Sequence, residues 1–191
     1  MWTARILLLI LLLLTGGGWF DQLLFRREKT ALLCLAPVVF GLSLVPTLRT
    51  TTVRLCFAPC AFALLTALLC PTDQPLRALF AALFGGFLGW KLCDALPLFF
   101  EQGLLIAAPA LLFCTLFCRD ADAKALAIAA APLVMLFFRM TGDYMLFRST
   151  VLELGNGDAL CAQSAGLLLF LAGGLVRDRL RRSGRRLHAS A

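Results

Sequence analysis

Apolar residues run along this chain in seven long blocks, broken by short clusters of charge, proline or glycine. The blocks show neither the two-residue alternation of a half-buried strand nor the one-sided stripe of a soluble helix. A helix rising about 1.5 Å per residue needs roughly 20 mainly apolar residues to cross about 30 Å of hydrocarbon. The blocks at 6–20, 31–48, 53–70, 78–90, 103–118, 125–138 and 159–176 therefore predict an all-α, polytopic transmembrane helical bundle. The fourth and sixth fall short of a full crossing, so the reading is six or seven spans, six if one of these two is re-entrant. Pro71, Asp73, Pro75 and Arg77 form a bracket that should stop both flanking helices, and 119–124 is a compact charged turn. Residues 139–150 mix charges with Met and Phe, which suits an interfacial or re-entrant segment. A Gly-Asn-Gly turn at 155–157 precedes the last block.

Composition agrees with the pattern. Of 191 residues, 61% are hydrophobic, and there are 15 glycines besides, well above the roughly 45–50% apolar share of an ordinary soluble domain. That excludes a disordered chain, a coiled coil and a secreted disulfide scaffold. Charge then sets the orientation, because Lys and Arg concentrate on the cytoplasmic side. Arg177, Arg179, Arg181, Arg182, Arg185 and Arg186 follow the last block directly. The chain thus divides into a transmembrane domain, 1–176, and a basic cytoplasmic tail, 177–191. Counting back through seven spans puts 12 of the 18 Lys and Arg on the cytoplasmic side and the N-terminus outside; six spans would place both ends in the cytoplasm. The basic start and apolar run of the N-terminus lack an Ala-x-Ala cleavage site, so it reads as a retained first span rather than a cleaved signal. The expected location is a cell membrane of bacterial type, multi-pass, with lipid as the first partner.

Ionisable groups at membrane depth are costly and tend to pair or to line a watery path. Lys91, Asp94 and Glu101 are one such group, able to share a helix face if the helix persists through Pro97, and otherwise solvated in an outer loop. Arg139 and Asp143, four apart, are the second, within reach of a helical salt bridge and followed by Arg148. These five, Lys91, Asp94, Glu101, Arg139 and Asp143, are the candidate ligand or ion pathway. Asp158 is placed to cap the last helix. Gly85 and Gly89 form a GxxxG, and Ala162 with Gly166 a second small-xxx-small pair, both suited to close helix contact within the chain or with a partner copy.

Other chemistry finds little support. Eight cysteines include Cys56/Cys60 and Cys114/Cys118 at helical spacing, but no CxxC, and the only histidine, His188, lies in the tail, so they read as small buried hydrophobes with no metal site and no cofactor. No phosphate-binding glycine loop, nucleophile elbow or HExxH is present, which argues against an enzyme. The basic tail offers no aromatic platform for bases, so nucleic acid is not an expected partner.

Two stretches, 25–29 and VLELGNGDALCAQSAG at 151–166, resemble the YphA-like small polytopic membrane proteins of spore-forming bacteria. That resemblance implies a sporulation context and no known reaction. The stretch LRALFAALFGGFLG at 76–89 is similar to the membrane-embedded substrate-binding subunits of vitamin uptake systems, which implies solute binding. The leading expectation is a non-enzymatic membrane protein acting through helix contacts, with itself or with a membrane partner. The alternative is a small-solute transporter or substrate-binding subunit.

Overall fold

The computed structural model describes residues 2–24, 26–44, 48–49, 53–55, 57–96, 102–147, 152–154 and 157–189. Each of the seven apolar blocks becomes a helix: α1 (Trp2–Gly16), α2 (Arg26–Leu44), α3 (Phe57–Leu69), α4 (Pro75–Ala95), α5 (Gln102–Phe117), α6 (Ala121–Phe147) and α7 (Gly157–Ala189). Three of them, α4, α6 and α7, contain windows long and apolar enough to cross a membrane, while α1, α3 and α5 are apolar but shorter.

Several boundaries differ from the sequence expectation, each for a local reason. The first helix stops at Gly16 and does not continue to residue 20. Gly18 adopts φ +77°, Gly18 N–H donates to Thr15 O and Trp19 N–H donates to Leu14 O, which is a Schellman cap built on the one residue type that takes this conformation at no steric cost. The fourth helix is not the short one: it starts with Pro75 at its first turn and runs through Lys91 and Asp94 to Ala95. A polar pair does not end a helix whose backbone bonds are intact. The sixth continues past Arg139 to Phe147, where the sequence suggested an interfacial segment.

A small sheet was not anticipated. Strands β1 (Leu48–Arg49), β2 (Val53–Leu55) and β3 (Leu152–Leu154) lie in the order β1-β2-β3. The first pair is antiparallel, with Leu48 opposite Leu55; the second is parallel, with Arg54 in register with Glu153. The signal was the β-branched run Thr50, Thr51, Thr52 and Val53, which disfavours helix and of which the span pattern absorbed only Val53.

The helices alternate in direction. At one end, Lys29 pairs with Asp21 across the α1–α2 turn, Leu23 packs on Gly174 of α7, and Lys124 at the start of α6 sits over Phe170. At the other end, Arg5 donates to the Ser43 carbonyl, Gly103 meets Cys161, and the sheet joins the α2–α3 connection to the α6–α7 connection. Through the basic stretch after residue 176, α7 runs on as one helix to Ala189.

The packing is inverted relative to a soluble bundle. On α4 the buried face is Ala78, Ala81, Ala82, Gly85, Gly86, Gly89 and Cys93, whereas Leu76, Leu79, Phe80, Leu83, Phe84 and Phe87 are exposed. Small residues let backbones approach, and the large side chains cover the outside. Buried hydroxyls are satisfied by the preceding turn: Thr15 donates to Leu11 O, Thr66 to Phe62 O and Ser164 to Leu160 O.

Candidate functional site

Close glycine contacts hold three helices in fixed relation and so shape the site. A methyl group on Gly85 would lie 2.9 Å from Ala110 Cα of α5, and one on Gly86 would lie 2.6 Å from the Ala131 carbonyl oxygen of α6. Pro109 and Pro132, inside α5 and α6, belong to the same turns. Each removes a backbone donor and loosens its helix where α4 presses closest. A methyl on Gly89 would lie 3.3 Å from Ile106 Cα of α5. Two turns toward the helix end, α4, α5 and α6 part and leave a cleft of about 370 Å³ lined by Trp90, Cys93, Asp94, Gln102, Met135 and Arg139.

The floor of this cleft is apolar. Cys93 and Met135 belong to a buried cluster with Ile106, Ala107, Ala162 and Ala165, and the Cys93 thiol donates to the Gln102 carbonyl at 3.7 Å. One wall is Trp90, stacked on Phe138 with centroids 6.1 Å apart and planes 6° apart. Lys91 Nζ lies 3.9 Å from the Trp90 ring centroid, a cation–π contact that holds the ammonium against the indole. The mouth is charged: Asp94 and Arg139 are both exposed. Together with Asp158, they lie within electrostatic reach of the Cys93 thiol. The two mouth residues sit about 27–28 Å of helix rise from the turns that begin α4 and α6. The cleft is therefore at the far end of the bundle from the basic end of α7.

Of the residues expected to form a pathway, the structure brings Asp94 and Arg139 into one cleft, with Lys91 behind its tryptophan wall. Asp143 follows Arg139 by one turn on the α6 backbone, and its side chain, like Glu101 and Arg148, lies outside the described residues. Among the packing candidates, Gly85 and Gly89 face α5, Gly166 would place a methyl 2.8 Å from Ile128 Cγ2, and Ala162 lies in the cluster beneath the cleft. Asp158 falls in the first turn of α7, where a carboxylate meets the positive end of the helix dipole.

Trp90 and Gln102 were not singled out by sequence. An apolar-run reading counts a tryptophan at a helix end as an interfacial anchor, and nothing in spacing connects Gln102 to Arg139, 37 positions away. Gln163 was missed as well. It is fully buried, and its Nε2 donates to the carbonyls of Pro59 at 3.1 Å and Ala129 at 2.7 Å, pinning α7 to α3 and α6. Its polarity, beside Ser164 in an otherwise apolar block, was the available signal. Among the described residues no group of three His, Cys, Asp or Glu side chains gathers as a metal site would.

No protein-family model matches the chain, and neither a curated protein nor a solved structure does. The resemblance to YphA-like proteins rests on the short stretches quoted above.

Proposed function

We propose that this chain is a multi-pass integral membrane protein that captures a small polar solute at the α4–α5–α6 cleft. The observation that carries the reading is the meeting of Asp94 and Arg139, 45 positions apart in sequence, at the mouth of one cleft beside Trp90 and Gln102. Clefts of a few hundred Å³ with an apolar floor and a few converging polar groups are the usual form of small-molecule sites.

Membrane insertion is supported by the three long apolar helices and by the large apolar side chains on the outside of α4. Alternating helices, with 12 Lys and Arg at the end that carries the α7 extension, favour a seven-span layout. In that layout the C-terminus is cytoplasmic and the cleft opens to the outside. The short helices α1, α3 and α5 cross by bilayer thinning or through their flanking residues. The close approaches at Gly85, Gly86, Gly89 and Gly166 support a packing role for these glycines within the chain.

Single-cysteine labelling tests both parts. In a background without native cysteines, Asp94→Cys and Arg139→Cys should react with a membrane-impermeant thiol reagent in intact cells, whereas Ser183→Cys reacts only after the membrane is opened. Labelling of 94 and 139 from opposite sides would sink the shared cleft. Labelling of 183 from outside would invert the orientation.

A further inference from the structure

The two charges at the mouth of the cleft are of opposite sign, yet they do not pair. Within the described residues the close ion pairs are Lys29 with Asp21 and Arg182 with Asp178, the latter at 3.8 Å. Asp94 and Arg139 line the same cleft without joining. Two opposite charges left unpaired at one cleft mouth can each gain an attraction from a partner placed between them.

The remaining charges do not tip the balance toward a simple anion site. Among the described residues neither Lys91, held on the Trp90 ring, nor Asp158 lines the cleft. A purely anionic solute would meet Asp94. A purely cationic one would meet Arg139. Resting on the solute-binding reading above, we infer that the ligand is a zwitterion: a carboxylate on Arg139, an ammonium on Asp94, and an apolar portion over the Cys93 and Met135 floor beside Trp90. An amino acid with a small apolar body is a zwitterion that a cleft of about 370 Å³ has room for. Arginine suits the carboxylate because its planar fork binds two oxygens at once.

The test uses deletion analogues of matched shape. Purified full-length protein with Trp2→Phe and Trp19→Phe leaves Trp90 as the sole tryptophan, so its emission reports on the cleft wall. The probes are leucine, 4-methylpentanoate and 3-methylbutylamine, and, to sample a wider separation of charge, 6-aminohexanoate, hexanoate and hexylamine.

One of the two zwitterions should bind at least about tenfold tighter than its anion and its amine, since each loses one charge-assisted contact. Asp94→Asn should abolish the advantage of the zwitterion over the anion, and Arg139→Gln its advantage over the amine. Because each variant keeps one ligand, binding also shows that it is folded. An anion or amine that binds as tightly as its zwitterion overturns the inference and leaves the solute site standing. No response to any of the six, in protein that melts cooperatively, overturns the solute site itself.

Discussion

The two halves of the bundle are packed by different means. Around α1, α2 and α3 the core is made of large side chains, with Leu8, Leu11, Val39 and Phe62 fully buried. The glycines within α1 and α2 are slack: nothing lies within 4 Å of a methyl placed on Gly41, and one on Gly16 would touch only Leu33, at 3.8 Å. Around α4, α5 and α6 the contacts are backbone to backbone, and a methyl on Gly85 or Gly86 has no room. Side-chain packing can adjust by changing rotamer, whereas backbone contact cannot. The cleft with its two unpaired charges belongs to the rigid half, as a site needing fixed geometry should.

That comparison breaks first at Gly86. Gly86→Ala drives a methyl into the Ala131 carbonyl and should cost about 1–3 kcal/mol, read as a lowered melting temperature in detergent; an unchanged value would show that α4 and α6 can part freely. Gln163→Leu comes next. It removes two donors that tie α7 to the looser α3 and to α6, and since hydrogen bonds between helices in a bilayer average roughly 0.6 kcal/mol, the loss should be about 1 kcal/mol. A change of only a few tenths would mean that Leu fills the space as well as the amide does, the amide Oε1 being buried without a partner. Gly166→Ala meets side chains rather than backbone, the Ile128 Cγ2 branch and Ala107 Cβ, and should cost less than Gly86→Ala, by about 1 kcal/mol or more. Equal losses would erase the distinction between side-chain and backbone contact.

The loose half supplies the smallest effects. Gly41→Ala, in open space within α2, should be neutral or stabilise by up to about 1 kcal/mol through helix propensity. Lys29→Met removes an ion pair whose side chains are 29% and 52% exposed, and the melting temperature should record a loss of about 0.5 kcal/mol or less.

The helices were legible because hydrophobic runs of this length have few other ways to satisfy their backbone. Their ends were legible where proline marks them, as at Pro75. They were not legible where a left-handed glycine or a β-branched run competes with continued helix, as at Gly18 and at residues 50–53. Asp94 and Arg139 stood out singly as charges near membrane depth. Their meeting did not, because it depends on how closely α4 approaches α6, and that distance is set by Gly86 against Ala131 rather than by anything near the charges. Trp90, Gln102 and Gln163 carry no local periodicity at all.

The parallel pairing of β2 with β3 has a consequence for the order of assembly. The hairpin of β1 and β2 is complete once residue 55 has been made, but the strand it pairs with is about 100 residues further on, or on the order of 5–20 s of synthesis. For that interval the side of β2 that pairs with β3 has no strand to pair with, while α3 to α6 are being made. Arrival of β3 then covers that side and brackets the four intervening helices between two paired connections. The sheet thereby acts as the clasp that closes the bundle, fastened only when α7 is about to enter.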